Sequence, residues 1–204
     1  MAQYFGLVRH GITDWNAQGK IQGWTDIPLN DTGRNQAALL AERLKKEDIT
    51  FDAVVSSGLR RAEETGAILA NALNIPLLDP EQGLVERAYG QVEGTTPEER
   101  EKRWGADWRQ LDLGQERDEA LGDRAVKTLE SLALRREGGN LLAVTHGSWL
   151  AQLFIALFGQ LSQGHIGNLS YSILERLGAQ WHPVLYNCTK HIQPSDAATF
   201  HRGR

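Results

Sequence analysis

Hydrophobic positions along the chain fall into short dense runs separated by longer spaced stripes. Tyr4 to Val8 is an apolar run of strand length, and Phe51 to Val55 and Leu141 to Val144 repeat it. Between them, apolar residues recur at helical spacing. Ala37, Leu40, Ala41 and Leu44 mark a helix that Asn30 or Asp31 caps and that runs to about Glu47. Ala62, Ile68, Leu69 and Leu73 mark a second, with Ser56 and Ser57 offered as its cap and Pro76 as its stop. Glu116 to Glu137 reads as a long helix ended by Gly138-Gly139, and Gly147 to Phe158 as an apolar one. Leu77-Leu78 reads as a short strand, and 169–177 and 180–186 as a hairpin around Gly178-Ala179. Residues 11–29 form a polar loop, and those past Gln193 a loose tail. Residues 83–115 show no clean period and read as an insertion with one short helix near Glu98 to Trp104. Gly159 to Gly167 either joins the rim of a site or simply connects elements. Alternating strand and helix runs predict an α/β protein.

Composition narrows the function. The 204 residues suit one domain. A formal net charge of -4 argues against a general nucleic-acid binder. The single cysteine, Cys188, rules out a disulfide framework within the chain and reads as a free buried thiol. The apolar run from Trp149 to Phe158 is too short to span a bilayer, so no membrane partner is expected. Met1-Ala2-Gln3-Tyr4-Phe5 lacks the basic and apolar regions of a secretion signal, which makes the cytoplasm the expected compartment and the N-x-Ser/Thr triplets at Asn30, Asn168 and Asn187 chance matches.

Chemistry gathers where the predicted strands end. The first runs into Arg9-His10-Gly11, the second into Ser56-Ser57-Gly58-Leu59-Arg60-Arg61, and a later one into Thr145-His146-Gly147. If these strands are parallel, their carboxyl ends share one rim, where open α/β sheets bind ligands. Two arginines at a helix start oppose the helix dipole. An anion between them and the N-terminal amides would relieve the conflict; Arg61 is the candidate to point inward and Arg60 to face solvent. Other chemistries fail on spacing. Gly19-Lys20 is followed by Ile21 rather than Ser or Thr, no H-x-x-x-H pair is present for a helical zinc site, and Gly147-Ser148-Trp149 is not a nucleophile elbow.

The combination resembles a known family. Leu7-Val8-Arg9-His10-Gly11-Ile12-Thr13-Asp14-Trp15-Asn16 is similar to the signature of the histidine phosphatase, or phosphoglycerate mutase-like, superfamily. The likeness continues through Gln22-Gly23-Trp24-Thr25-Asp26-Ile27-Pro28-Leu29-Asn30 and Thr32-Gly33, Ser56-Ser57-Gly58-Leu59-Arg60-Arg61-Ala62, Leu84-Val85-Glu86 followed by Gly90 and Glu93-Gly94, and Val144-Thr145-His146-Gly147. It implies a single domain over residues 1–204. The implied fold is three-layer α/β/α, with a mostly parallel central sheet, helices on both faces, and residues 83–115 inserted over the pocket. It also implies His10 as a nucleophile forming a phosphohistidine, Arg9 and Arg61 as phosphoryl clamps, and His146 as a further donor. Glu86 would be the general acid, with Glu93 and then Asp14 as substitutes. Asn16, Gln22, Gly23 and Gly147 would complete the phosphate site, with no metal and no cofactor.

Within that family the short chain and its opening motif resemble the broad-specificity bacterial phosphatases or the metal-independent phosphoserine phosphatases, with the α-ribazole phosphatases a further branch left open. A mutase usually carries an arginine pair in the middle insertion, and none occurs in 95–115. Trp24, Tyr89, Trp104 and Trp108 suggest an apolar pocket lining, with core packing expected for at least one of the tryptophans. The expectation is a phosphatase of small phosphorylated metabolites. A phosphoglycerate mutase is the alternative, and a non-catalytic phosphoryl-binding protein a weaker third. Oligomeric state is left open.

Overall fold

The computed structural model describes residues 2–159 and 165–192; the tail expected past Gln193 lies outside them. In chain order the elements are β1 (Gln3–Arg9), α1 (Asp14–Ala17), α2 (Asp31–Leu44), β2 (Ala53–Ser56), α3 (Arg60–Leu73), α4 (Pro97–Trp104), α5 (Asp118–Arg135), β3 (Leu141–Thr145), α6 (Gly147–Phe158), β4 (Tyr171–Leu177) and β5 (Gln180–Cys188). The strands make one sheet in the order β2-β3-β1-β4-β5. β1 and β2 both pair parallel with β3, whereas β4 pairs antiparallel with β1 and β5 antiparallel with β4. Four strands therefore run one way and β4 alone runs against them. The expected strand at Leu77-Leu78 is reduced to a single parallel bridge between Val54 and Leu77 at the sheet edge.

Strand side chains alternate between faces, and the sheet has a core on each. Phe5, Leu7, Val55, Leu141 and Ala143 face α5 and α6, where Leu129, Trp149 and Leu153 meet them. Val8, Val54, Leu142 and Val144 face α2 and α3. Helices on both sides explain why the parallel strands read as continuous apolar runs rather than alternating ones.

Helix boundaries follow local chemistry. Asn30 Oδ1 accepts from Gly33 N–H at 2.9 Å and starts α2. Thr96 and Glu99 form a reciprocal capping box for α4, with Pro97 in its first turn. α3 departs from expectation. It begins at Arg60 with Leu59 as its cap residue, and neither Ser56 nor Ser57 caps it. Asp26 from the preceding loop accepts from Arg60 N–H at 2.8 Å instead, which leaves the Ser57 hydroxyl available elsewhere. Residues 83–117 lie off the sheet and carry their own small cluster of Val92, Trp108 and Leu113, with Tyr89 and Trp104 packed against it. Cys188 is free and buried. Among the described residues no helix is long and apolar enough to cross a membrane.

Register decides what this fold positions. Arg9 pairs with Thr145 and Ser56 with Val144, so the carboxyl ends of β1, β2 and β3 finish level. Substituting Leu129, fully packed between α5 and the sheet, tests this core: Leu129→Ala should lower stability by roughly 2–5 kcal/mol in equilibrium urea unfolding.

Candidate active site

The level strand ends bring three loops together. His10 follows β1, Ser57 follows β2, and His146 follows β3 as the cap residue of α6. Of the nine residues the sequence nominated, Arg9, His10, Asn16, Gln22, Gly23, Arg61, Glu86 and Gly147 line one cavity of about 360 Å³. His146 stands behind it, fully buried, with its ring centroid 5.1 Å from that of His10.

His10 is only 2% exposed, and its Nδ1 lies 2.7 Å from the Gly11 carbonyl. A carbonyl can only accept, so Nδ1 carries the proton and Nε2 keeps its lone pair. Asn168 Nδ2 steadies the same turn through His10 O and Gly11 O at 3.2 and 3.4 Å. Burial, then the charges of Arg61 and Arg9, hold the His10 pKa well below the usual imidazole value. The ring is neutral at physiological pH.

Both arginines are buried and held by carbonyls. Arg61 donates from Nη2 to Gly23 O at 2.6 Å and from Nη1 to Thr25 O at 2.9 Å. Arg9 donates from Nη1 to Ile166 O at 2.5 Å. Burial lowers each guanidinium pKa to about 10, which still leaves both charged at neutral pH. Arg60, by contrast, is exposed. Arg9 Nε, Arg61 Nε and His146 Nδ1 are buried without a protein partner among the described residues. His146 Nε2 is 2.7 Å from Ser57 Oγ, and the same causes, burial first and then Arg61 and His10, keep this histidine neutral.

The three nominated acids separate cleanly. Glu86 lines the cavity; its carboxylate accepts from Arg87, Trp149 and Ser148 N–H at 2.9, 3.1 and 3.2 Å, the last two at the start of α6. Glu93 does not line it. It accepts from Trp24 N, Tyr89 N, Thr25 N and Thr25 Oγ1 at 2.6–3.1 Å and so clamps the loop whose carbonyls hold Arg61. Gly23 has φ +56°, and a Cβ there would lie 2.0 Å from Glu93 Oε1, so this turn and its clamp need glycine. Asp14 accepts from Asn30 Nδ2 at an exposed position away from the cavity.

Other polar residues sort by their bonds. Asn16 Oδ1 accepts from Thr13 N, Thr13 Oγ1 and Asn168 Nδ2, which fixes the amide orientation and leaves Nδ2 as its free donor. Of the four aromatics expected over the pocket, Tyr89 alone lines it, with its hydroxyl 2.7 Å from Ser148 Oγ. Trp24 is 57% exposed and donates from Nε1 to Glu86 O. Trp104 and Trp108 pack into the cluster beneath residues 83–117, because a segment lying off the sheet must bury apolar surface of its own. Sequence reasoning missed Ser57, Asn168 and His165 as site residues. Ser57 has the sequence position of a helix cap and Asn168 that of a chance N-x-Ser triplet; nothing local marks His165. Among the described residues no group of three or more His, Cys, Asp or Glu is placed to hold a metal ion.

A parallel-strand rim with a neutral, oriented imidazole between two charged guanidiniums defines an enzyme of phosphoryl chemistry. The profile of the histidine phosphatase superfamily (branch 1) matches residues 5–189, and the chain belongs to that family. It is a phosphomonoester hydrolase of the histidine phosphatase type. It is 35% identical over 189 residues to an uncharacterized phosphatase, PhoE, of Bacillus subtilis, covering 91% of this chain and 95% of that one. It is 34% identical to a metal-independent phosphoserine phosphatase of Arabidopsis thaliana over 86% and 77% of the two chains. A phosphoglycerate mutase of Schizosaccharomyces pombe is 32% identical over 90% and 89%. The solved structure of Bacillus stearothermophilus YhfR superposes with a TM-score of 0.83 at 30% identity, covering 94% of this chain and all of that one.

Two measurements test this geometry. The folded state holds His10, His146, His165 and His191 below the ordinary value of 6.5, His191 at about 4. As pH falls through 6.5 the unfolded chain takes up protons that the folded chain refuses, so stability is complete above 6.5 and lost below it. The urea midpoint should therefore drop between pH 7 and pH 5, and an unchanged midpoint would contradict the neutral burial of these rings. Separately, Glu93→Gln places an amide N–H₂ against N–H donors. It should cost roughly 2 kcal/mol of stability and weaken phosphate binding. The pH profile of turnover should keep its shape, whereas loss of a titrating limb would identify Glu93 as the acid.

Proposed function

We propose that the protein hydrolyses small phosphomonoesters through a phosphohistidine on His10, without a metal ion. The observation carrying this reading is a set of buried nitrogens without a partner among the described residues, Arg9 Nε and Arg61 Nε of the cavity lining and His146 Nδ1 behind it. Unsatisfied buried donors are costly, and a phosphoryl group offers three acceptor oxygens to such a set. Guanidinium forks suit it and stay charged.

In this mechanism His10 Nε2 attacks phosphorus as the P–O bond to the leaving oxygen breaks. Glu86, in its protonated form, gives that oxygen its proton. The resulting carboxylate then takes a proton from water, whose oxygen attacks phosphorus and breaks the P–N bond. Phosphate leaves, and His10 and the Glu86 carboxylic acid are restored. Ser57 donating to His146 Nε2 would keep the His146 proton on Nδ1, facing the transferring group. Asn16 Nδ2 and the backbone of Gly23 and Gly147 add donors, and Gln22 forms part of the wall. Positioning and electrostatics dominate phosphoryl transfer, which is the service these groups provide.

Hydrolysis is favoured over mutase chemistry by the middle segment. Arg100, Arg103 and Arg109 stack on tryptophans 108, 104 and 108, and none of them lines the cavity. Beyond Arg9 and Arg61, the cavity wall contains one more basic side chain, Lys20. Residues 83–115 contribute Glu86 and Tyr89 to that wall, which supports reading them as a partial cover within one domain. The second reading, a cofactor-dependent phosphoglycerate mutase, draws on the Schizosaccharomyces pombe relative.

Phosphate release from p-nitrophenyl phosphate and 3-phosphoglycerate in the presence of EDTA decides between them. Hydrolysis should persist with the chelator and fall at least about a thousandfold in His10→Ala. Isomerisation of 3-phosphoglycerate on adding 2,3-bisphosphoglycerate, with no release, would establish the mutase. Full activity in His10→Ala would refute both.

A further inference from the structure

Arg9 reaches across the rim to a segment for which the sequence offered no defined role. Its Nη1, besides donating to Ile166 O, lies 2.8 Å from His165 Nε2. A guanidinium has only donors, so the facing His165 nitrogen is the acceptor. The ring is therefore neutral, with its proton on Nδ1. The segment is itself held in place. Asn187 donates from Nδ2 to His165 O and accepts at Oδ1 from Gly167 N–H, each at 3.0 Å, from a left-handed backbone with φ 46°. His165 and Ile166 both line the cavity.

We infer that His165 is a positioning residue for Arg9: its neutral imidazole holds the guanidinium in the phosphoryl-binding orientation, and protonating that imidazole releases it, so that phosphoryl affinity falls at acid pH. The inference rests on the phosphoryl-binding role proposed for Arg9. With Nη1 occupied by His165 and Ile166, the guanidinium is turned so that Nε lies beside Gly147, where an added Cβ would come within 3.3 Å of it. Charged His165 would present an N–H that cannot accept, and a second cation against the first. The titratable and charged groups sharing the cavity are Arg9 and His10 from the end of β1, Lys20, Arg61 from α3, Glu86 and Tyr89. The Glu86 oxygens are bonded to three backbone N–H groups, and no carboxylate pairs with His165 among the described residues. His165 keeps an exposed side, and the partial burial of its ring, then the charge of Arg9, lowers its pKa from 6.5. Anchoring is thus complete in the neutral range and lost as pH falls through that lowered value.

The test is the inhibition constant of inorganic phosphate against p-nitrophenyl phosphate hydrolysis. It is measured from pH 5 to pH 8 in wild type, His165→Gln and His165→Ala, with folding checked by circular dichroism at each pH. Dividing each variant by wild type at the same pH cancels the ionisation of phosphate and of every shared group. Glutamine offers an acceptor at similar reach and does not titrate. His165→Gln should match wild type within about twofold at neutral pH and bind phosphate up to about tenfold more tightly than wild type at acid pH. His165→Ala should bind about tenfold more weakly at neutral pH, with KM changing more than kcat, because one of two acceptors on Nη1 is gone. A Gln-to-wild-type ratio that stays flat with pH overturns the inference, as does His165→Ala binding phosphate like wild type. If His165→Ala does not fold, the pH dependence of the Gln ratio decides alone. Wild type that neither binds nor releases phosphate overturns the proposed function, and this inference with it; a flat ratio in an active wild type overturns only this one.

Discussion

Arg9 and Arg61 are buried against carbonyl oxygens rather than carboxylates, and the rest of the site is arranged around that choice of acceptor. Taking a charge out of water is costly by several kcal/mol even after relaxation. A carboxylate partner would recover more of that cost, but it would also cancel the charge. Carbonyl dipoles orient the guanidinium and leave its charge in place for an incoming anion. The one carboxylate that the described residues place on the cavity wall, Glu86, is bonded to backbone N–H groups rather than to either arginine. The supporting network follows from this. Glu93 fixes the loop that offers Gly23 O and Thr25 O, and Asn187 fixes the segment that offers Ile166 O.

Burial, reinforced by the same pair of charges, sets the state of the histidines. His10 and His146 both remain neutral, and hydrogen bonding then orients them differently. The Gly11 carbonyl takes the Nδ1 proton of His10 and exposes a lone pair on Nε2. Ser57 Oγ occupies Nε2 of His146, and Nδ1 of that ring is buried without a partner among the described residues. Two chemically identical rings 5.1 Å apart are held in different hydrogen-bonding arrangements because their neighbours differ.

Much of this was legible in the sequence, and the reasons can be named. The parallel strands are covered on both faces, so their apolar runs stand out, and α2 and α6 begin where the pattern places them. Arg9, His10, Arg61 and His146 sit directly at strand ends or in the first turn of a helix, so their convergence needs only the parallel register. What failed was information that tertiary contact supplies. Ser57 looks like a cap because serine before a helix usually is one; Asp26 takes that role from 34 residues away in sequence. Glu93 and Glu86 are equivalent acids on paper, and only the direction of each carboxylate separates a clamp from a cavity wall. Trp104 and Trp108 have the composition of a pocket lining but serve the packing of their own segment. Asn168 and His165 act through contacts spanning more than 150 residues, for which no local pattern exists.

The small cluster of Val92, Trp108 and Leu113 has a consequence for how such a protein can diversify. It gives the stretch from Tyr89 to Leu113 apolar contacts of its own, whereas Leu84 at the start of the segment belongs to the core facing α5 and α6. Insertions and exchanges in this segment can accumulate with little disturbance of the strand register that delivers His10 and His146. Change confined to the part of the segment beyond Glu93 leaves Glu86, Tyr89 and the Glu93 clamp in place, so the cover over the cavity can vary while its wall is kept.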